Sequence, residues 1–233
     1  MDENVPKHIV IIPDGNRRWA KARHVPELRG HAVGIDLLRK VAEWCREFNV
    51  KTVTLWGFSY ENFRRDEKQV RGLMRLFEQK FEEFRDRSEF HKNRIRVRFF
   101  GRIRLLPPSL QRKLRSVEKE TAGYSDHYVN VLLAYGGHQE LLDAVNAVVR
   151  DAKKGKISKV SEEAFAKYLY MQELSDPDLI IRTSGEMRLS GILPWSSGYS
   201  ELYFCPKLWP DFTKQDFKAA IDEFARRKRR FGK

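Results

Sequence analysis

Arginine, hydroxyl and carboxylate side chains gather in short segments that could bind phosphate groups. The first of these segments, residues 13–19 (PDGNRRW), links an apolar run to a helix-like run. A helix N-terminus presents free N–H groups and partial positive charge to an anion, and Gly15 would let a ligand approach the backbone. Asp14 beside phosphates would suit a hard cation such as Mg²⁺. An ordinary Asp-Gly turn before a helix explains these residues equally well, so both interpretations stay open.

A second segment, residues 182–190 (RTSGEMRLS), also follows an apolar run. It holds two arginines and three hydroxyl groups, and a planar guanidinium group matches phosphate oxygens better than an ammonium group does. A solvent-exposed loop with a salt bridge to Glu186 is the simpler alternative. Because an arginine-rich loop that contains glycine occurs twice in the chain, we favour two phosphate-bearing ligands, or one large one.

Three further features are weaker signals. Residues 58–65 (FSYENFRR) combine Ser, Glu, Asn and Arg in one segment, which could position a substrate or relay a proton. Glu201 begins a very apolar run, so its carboxylate needs a partner. An Arg or Lys partner is the usual case, and a metal ion is the sharper alternative. His31 begins a helix-like run near the Asp14 segment, and alone it would more often be structural than catalytic.

Six apolar runs predict the strands that position these segments. Most are continuous, as in strands buried on both faces of a parallel sheet; they are residues 8–12, 52–58, 95–100, 128–135, 179–183 and 201–205. Helix-like runs alternate with them, at residues 31–48, 66–91, 138–153, 161–174 and 213–229, with a further helix opened by Pro107-Pro108. This order predicts one α/β domain over residues 1–233, with a central, mostly parallel six-stranded sheet flanked by helices. Ligands of such sheets bind beyond the carboxyl ends of the strands.

The composition limits the classes of function. The 233 residues are 41% apolar and carry a net charge of +13. Residues 92–104 and 226–233 each hold six cations and no acid, and together they supply twelve of those charges. Such a protein could bind nucleic acid, an anionic membrane surface or anionic small molecules. No apolar run approaches the ~20 residues that span a bilayer, and Cys45 and Cys205 form no disulfide framework, so we expect a cytoplasmic protein.

The segments together resemble the cis-prenyltransferase family, which includes undecaprenyl and dehydrodolichyl diphosphate synthases. The resemblance covers the chain from about residue 7 onward, and it rests on motifs in the family's order: DGNRRWAK (14–21), RGHAVG (29–34), TLWGFSYENFRR (54–65), DLIIRTSGEMRLSG (178–191), YSELYFCPKLWPDF (199–212) and RFG (230–232). Arg17, Phe63 and Met187 stand where bacterial members usually have Gly, Trp and His. The chain is therefore more similar to archaeal or eukaryotic members than to bacterial ones.

The resemblance implies a Mg²⁺-dependent enzyme with the undecaprenyl diphosphate synthase-like fold. It would condense isopentenyl diphosphate units onto farnesyl or geranylgeranyl diphosphate, giving a Z-polyprenyl diphosphate for a glycosyl carrier lipid. By resemblance, Asp14, Ser59 and Asn62 are catalytic, and Asp14 and Glu201 handle the metal. The implied substrate contacts are Gly15, Asn16, Arg17, Arg18, Trp19, His31, Ser59, Tyr60, Glu61, Phe63, Arg65, Arg182, Arg188, Leu189, Ser190, Arg230 and Gly232.

Family members are homodimers, so the resemblance also implies a second copy of the chain as partner. Residues 226–233 form a basic C-terminal tail, and its RxG element, Arg230 to Gly232, would reach the isopentenyl site of the partner subunit. The remaining charge of the tail could hold the enzyme at an anionic membrane surface. Prenyl transfer to another acceptor, such as an alcohol or a glycerol phosphate lipid, is the alternative on the same site. A nucleic-acid-binding role is the remote alternative, and we expect no nucleic acid partner.

The growing chain would need an apolar tunnel. The runs 31–48 and 66–91, with strand 128–135, carry enough Leu, Val and Phe to line one, although an ordinary core would use the same residues. Gly57 lies at the end of its strand, where a large side chain could block a chain. Its small size favours a medium or long product over a short one.

Overall fold

The computed structural model of the chain describes residues 4–85 and 89–227. All six predicted strands are present, and each begins and ends within one residue of its predicted bounds: β1 His8–Ile12, β2 Thr52–Ser59, β3 Ile95–Phe100, β4 His127–Tyr135, β5 Leu179–Arg182 and β6 Glu201–Phe204. They form one sheet in the order β3-β4-β2-β1-β5-β6. Every neighbouring pair is parallel. The predicted α/β class is confirmed, and the sheet is parallel throughout.

Helices alternate with these strands along the chain. They are α1 Asn16–Ala22, α2 Glu27–Glu47, α3 Glu67–Arg85, α4 Glu89–Lys92, α5 Pro108–Thr121, α6 Gly137–Lys153, α7 Glu162–Ala166 and α8 Lys214–Arg226. The helix predicted over 66–91 corresponds to α3 and α4, and residues 86–88 lie outside the described residues. The helix predicted over 213–229 ends at Arg226 in the structure, and residues 228–233 also lie outside the described residues.

The helix predicted over residues 161–174 is shorter than expected. Helix α7 ends at Ala166, and turns follow. The N–H of Leu169 bonds to the carbonyl of Ala166, three residues back, and the N–H of Tyr170 donates to the Glu140 carboxylate at 3.1 Å. Because a side chain from α6 takes the place of a helix carbonyl here, the apolar spacing of this segment does not produce a long helix.

Both faces of the sheet are covered, which explains the continuous apolar runs. Every residue of β1 is buried. Ile9 and Ile11 face a large core built with α2, α3, α5 and α8. Val10 and Ile12 face a smaller cluster that contains Tyr135 and Leu132 of β4. Strand β1 is therefore packed on both faces, and this packing fixes the start of the loop that follows it.

Strand β3 forms one edge of the sheet, as its alternating sequence predicts. Ile95, Val97 and Phe99 are buried, whereas the arginines between them are partly exposed. Arg98 pairs with Glu173 at 3.0 Å, so part of the charge on this edge is neutralised within the chain. No helix within residues 4–85 and 89–227 combines the length and the apolarity that a bilayer crossing requires.

Candidate active site

A polar pocket lies beyond the carboxyl ends of β1, β2 and β5, where the fold rule places ligands. The structure brings together at this pocket most of the side chains proposed from the sequence: Asp14, Gly15, Asn16, Arg17, Arg18, His31, Ser59, Asn62, Arg65, Arg182, Arg188 and Ser190. The others on the same segments, Trp19, Tyr60, Glu61, Phe63 and Leu189, flank these residues along the chain. Arg230 and Gly232 lie outside the described residues.

The turn between β1 and α1 sets the position of Asp14. Gly15 has φ 109°, a left-handed conformation that side chains disfavour, and a Cβ there would approach Leu208 to 2.9 Å. The backbone N–H of Asp14 donates to the hydroxyl of Thr183 at 2.9 Å, and that hydroxyl donates to the Asp14 carbonyl at 2.8 Å. A side chain from the loop after β5 thus fixes the loop after β1. Thr183 was not singled out from the sequence, because only the fold brings it to Asp14.

Arg182 connects the two phosphate-binding candidates. Its guanidinium donates to the Asp14 carboxylate at 2.9 Å, to the Ser190 hydroxyl at 2.8 Å and to the Arg188 carbonyl at 2.5 Å. The Arg182 side chain is only 5% exposed, against 31% for Asp14. Burial raises the pKa of Asp14, but the hydrogen bond and charge of Arg182 outweigh that effect and hold the pKa below its ordinary value. Asp14 is therefore a carboxylate at neutral pH.

Glu186 joins arginines from the two loops. Arg18 donates to Glu186 at 3.1 Å, and Arg188 does so at 2.5 Å. Arg18 also donates to the Ser184 hydroxyl at 2.6 Å. The salt bridge that the sequence offered as the simpler interpretation of residues 182–190 is present. The Glu186 carboxylate also brings two half-exposed guanidinium groups together at the rim of the pocket. A bound anion could replace the carboxylate as their partner there.

Asn62 is oriented by its own segment. The segment Tyr60–Arg64 forms a 3₁₀-helix, and the backbone N–H of Ser59 donates to Asn62 Oδ1 at 3.2 Å. With its oxygen engaged, Asn62, which is a lining residue of the pocket, has its amide N–H groups left to bind a ligand. These groups donate hydrogen bonds, so Asn62 serves better as a donor to a substrate oxygen than as a base.

The floor of the pocket crowds positive charge around His31. Burial, together with the charges of Arg65 and Arg17, lowers the pKa of His31 to about 4. Burial and the charge of Arg17 also lower the pKa of Arg65. His31 is thus neutral at physiological pH, and nearby guanidinium groups repel each other. A bound anion would relieve this repulsion, which is typical of a site built for a negatively charged ligand.

An apolar cavity continues from the polar pocket into the core. Asn16, His31 and Gly57 line both spaces. The cavity then runs between α2, α3 and α5 and the faces of β2, β3 and β4, past residues such as Leu38, Phe81, Phe99 and Val131. The elements around this cavity include α2, α3 and β4, which the sequence predicts to line a tunnel. This arrangement suits a ligand with an anionic head and an apolar tail.

Glu201 does not lie at this pocket. It begins β6, in register with Leu179 of β5, which pairs in turn with Ile9. Asp14 lies beyond the other end of these strands, roughly 15 Å away along the strand direction. Glu201 pairs with Arg227 at 2.8 Å. Within one chain, the structure therefore places the two proposed metal carboxylates far apart. Glu201 pairs with an arginine, the usual partner expected for this carboxylate from the sequence.

A divalent cation would find few protein ligands at this site. In the part of the chain that the structure describes, no three His, Cys, Asp or Glu side chains lie close enough to hold an ion together. Asp14 is an ionised oxygen donor, which suits a hard cation. A Mg²⁺ ion typically uses one or two carboxylates together with phosphate oxygens of a substrate. The residues present fit that type of ion, with Asp14 as the ligand from this chain.

The chain is similar over its whole length to known prenyl diphosphate synthases. The family model described as putative undecaprenyl diphosphate synthase matches residues 12–232. A tritrans,polycis-undecaprenyl-diphosphate synthase (geranylgeranyl-diphosphate specific) of Thermococcus kodakarensis is 45% identical over 99% of this chain and 88% of its own length. An isoprenyl transferase of Thermotoga maritima is 45% identical over 98% of this chain and 97% of its own length.

Solved structures show the same fold. The lavandulyl diphosphate synthase of Lavandula x intermedia, solved with dimethylallyl diphosphate, superposes with a TM-score of 0.96 at 30% identity, over the full length of both chains. A probable undecaprenyl diphosphate synthase of Campylobacter jejuni superposes with a TM-score of 0.81 at 31% identity, again over both full lengths. The chain therefore belongs to the undecaprenyl diphosphate synthase family of prenyltransferases.

Proposed function

We propose that the protein is a Z-polyprenyl diphosphate synthase that adds isopentenyl diphosphate units to an allylic diphosphate. The observation that carries this proposal is the junction of an arginine-lined polar pocket with an apolar cavity at Asn16, His31 and Gly57. The pocket suits diphosphates, and the cavity suits the growing hydrocarbon chain. The polyprenyl product would serve as a glycosyl carrier lipid.

The two substrates are assigned to the two arginine-rich loops. The allylic diphosphate would bind the loop after β1, at Gly15, Arg17 and Arg18, with its tail in the apolar cavity. Isopentenyl diphosphate would bind the loop after β5, at Arg182 and Arg188. Arg182 and Arg188 both line the polar pocket. Ser59, Asn62 and Arg65 lie between the two loops.

The reaction needs stabilisation of a departing diphosphate. When the allylic C1–O bond breaks, negative charge gathers on the diphosphate, and preorganised donors at that position lower the barrier. Arg17, Arg18 and the backbone at Gly15 are such donors. A Mg²⁺ ion, bound through Asp14, would supply further positive charge. C4 of isopentenyl diphosphate then bonds to the allylic C1, and a proton leaves C2. Since Asn62 is placed as a donor, we assign that proton to a diphosphate oxygen.

The primer and acceptor can be tested directly. Relatives such as that of Thermococcus kodakarensis are named as geranylgeranyl-diphosphate specific, which supports geranylgeranyl diphosphate as the primer here. Purified protein, Mg²⁺ and labelled isopentenyl diphosphate should yield polyprenyl products, more with geranylgeranyl than with farnesyl diphosphate. Product formed only when an alcohol or glycerol phosphate lipid replaces isopentenyl diphosphate would favour the alternative acceptor. No product with any primer would contradict the proposed function.

Gly57 should limit the size of the product. A Cβ at this position would lie 3.1 Å from Leu133 Cδ2 and 3.2 Å from Val131 Cγ1, at the entrance to the apolar cavity. Gly57→Leu should therefore shorten the main product by roughly two or more isoprene units, because the added volume meets close-packed neighbours, and chromatography of the products measures this. Gly123→Leu is the control, since a Cβ there meets nothing within 4 Å. Products of unchanged length from Gly57→Leu would show that the chain grows elsewhere.

We also propose that the enzyme is a homodimer. Leu142, Val145 and Val149 lie at spacings of three and four on α6, and they are 56%, 46% and 44% exposed. An apolar stripe of this kind supports contact with a second copy of the chain. The basic tail, residues 226–233, would then reach the partner's isopentenyl site through Arg230 and Gly232. Its remaining charge supports peripheral contact of a cytoplasmic enzyme with an anionic membrane, where the product is used.

A further inference from the structure

A buried hydrogen-bond chain lies beneath the loop that carries Ser190. The hydroxyl of Tyr135, at the end of β4, donates to a Glu140 carboxylate oxygen at 2.5 Å. The same hydroxyl accepts the backbone N–H of Leu193 at 3.0 Å. Tyr135 is 0% exposed and Glu140 is 3% exposed. Neither side chain lines the polar pocket, so the proposed reaction gives them no direct contact with a substrate.

The loop above this chain has a backbone that needs support. Ser190 has φ 53° and Leu193 has φ 42°. Such left-handed conformations are unfavourable for residues other than glycine, and they persist when the surroundings hold them. Contacts on both sides hold this loop: Arg182 donates to the Ser190 hydroxyl at 2.8 Å and to the Arg188 carbonyl from the pocket side, and Tyr135 accepts from Leu193 on the core side. The position of Ser190 therefore depends on both.

Glu140 is a buried acid with neutral partners. Its second carboxylate oxygen accepts the N–H of Tyr170 at 3.1 Å, and within residues 4–85 and 89–227 it forms no salt bridge. Burial raises its pKa above the ordinary value. Burying a carboxyl group without a cation costs free energy unless hydrogen bonds compensate for the lost hydration. Here those bonds fix the Tyr135 hydroxyl, and they also engage the backbone N–H of Tyr170.

Helix α6 also supports the 3₁₀ segment Tyr60–Arg64, which contains Asn62. Asp143, one turn after Glu140, accepts two hydrogen bonds from Arg102, at 3.0 and 2.8 Å, and it also accepts the hydroxyl of Tyr170. The Arg102 guanidinium lies over the Tyr60 ring, 5.2 Å from its centroid. Tyr170 thus bonds to both Glu140 and Asp143. The first turns of α6 therefore support two segments: Glu140 supports the loop of Ser190 through Tyr135, and Asp143 supports the segment of Asn62 through Arg102.

From this geometry we infer that Tyr135 and Glu140 are positioning residues for the isopentenyl diphosphate site. Tyr135 holds Leu193 and so fixes the loop that carries Ser190 and the Arg188 carbonyl. In that position the loop can bind the Arg182 guanidinium, and Arg182 can also contact the substrate. Glu140 fixes the Tyr135 hydroxyl with its lone pair towards Leu193. The inference rests on the proposed function, because it assigns the loop after β5 to isopentenyl diphosphate.

Tyr135→Phe is the direct test. The phenyl ring keeps the edge contact with Trp56, whose centroid is 6.1 Å away, but it leaves Leu193 N–H and Glu140 without their shared partner. The KM for isopentenyl diphosphate should rise about tenfold, as expected for a lost hydrogen bond that orders a loop. The KM for the allylic primer should stay unchanged, and kcat should fall less. Tyr168→Phe is the matched control, since it removes one hydroxyl bond to the part-buried Asp151, away from the pocket residues.

Glu140→Gln supplies a second variant with an independent prediction. An amide can accept from one of the two donors only, so the isopentenyl KM should rise in this variant as well. Because Tyr135 and Glu140 act through one chain of bonds, the double variant should have about the same KM as Tyr135→Phe alone. Thermal unfolding of each variant shows whether the fold is retained, and Glu140→Gln decides the question if Tyr135→Phe does not fold.

The outcomes separate this inference from the proposed function. If the wild-type protein forms no product from isopentenyl diphosphate, the proposed function fails first. If the wild type is active and both variants keep its isopentenyl KM, the positioning role is overturned. Equal rises in the KM values of both substrates, or additive effects in the double variant, would also overturn it, because they would indicate a general loss of packing.

Discussion

Replacing Asp14 with alanine is expected to lower kcat by roughly 10²- to 10³-fold, the range seen when one preorganised group at a developing charge is removed. Asp14 is the carboxylate of the loop after β1, which we propose binds the allylic diphosphate, and Arg182 keeps it ionised. Without it, the chain would lose the ligand proposed for a Mg²⁺ ion at the departing diphosphate. Steady-state elongation with labelled isopentenyl diphosphate measures the effect.

The fold should survive this substitution. The Asp14 side chain is 31% exposed, and the turn is held by its backbone bonds to Thr183, which alanine keeps. Circular dichroism should therefore stay close to that of the wild type, whereas the unfolding midpoint should fall, because the buried Arg182 loses its carboxylate partner. Asp36→Ala is the control, because Asp36 is an exposed acid of α2 paired with Lys80. Near-normal turnover by Asp14→Ala in Mg²⁺ would falsify the assignment of Asp14.

Arg182→Lys should impair isopentenyl diphosphate binding most strongly. Arg182 donates at once to Asp14, Ser190 and the Arg188 carbonyl, and it is almost fully buried. An ammonium group retains the charge but not the planar fork that reaches these partners. We expect the KM for isopentenyl diphosphate to rise roughly a hundredfold, since a buried charged hydrogen-bond network contributes several kcal/mol when it is broken.

The matched substitution for Arg182→Lys is Arg23→Lys. Arg23 pairs with Asp211 at 2.9 Å on the surface, with both side chains more than 40% exposed, so its replacement should change neither KM nor kcat. Initial rates over a range of isopentenyl diphosphate concentrations, at saturating primer, give the comparison. If Arg182→Lys binds isopentenyl diphosphate as the wild type does, this guanidinium is not part of that site.

The strands and their order along the chain could be predicted because each is a run of buried residues. Val10 and Ile12 need an apolar environment on one face of β1, as Ile9 and Ile11 do on the other, and this gives a continuous apolar signal. The alternation of Arg with buried residues in β3 likewise marked an edge. Local patterns of this kind follow from burial, which the sequence expresses directly.

The contacts within the site could not be predicted in the same way. Thr183 bonds to Asp14, and Leu193 bonds to Tyr135, across 169 and 58 positions of sequence respectively. Such pairs depend on which strand ends lie side by side, and that follows from the sheet order rather than from residue type. Glu201 illustrates the limit: its motif suggested a metal site, whereas the fold places it beside Arg227, at the opposite end of the sheet from Asp14.

The arginines that matter for the proposed chemistry contribute little to the net charge of the chain. Arg18 and Arg188 share Glu186, and Arg182 shares Asp14. The segments whose own sequence holds cations and no acid are residues 92–104 and the tail, and several of those cations pair with acids elsewhere in the chain. The charge of +13 is therefore a weak guide to function, and the positions of arginines at the strand ends are a better one.

The central claim is that this site extends an allylic diphosphate with new Z double bonds. It is tested most directly by incubating the wild-type protein with geranylgeranyl diphosphate, isopentenyl diphosphate and Mg²⁺, and by determining the geometry of each new double bond by NMR. We expect a polyprenyl diphosphate whose added units are all Z, and no elongation when the metal is chelated. Added units with E geometry, or elongation that persists without a divalent cation, would contradict the account.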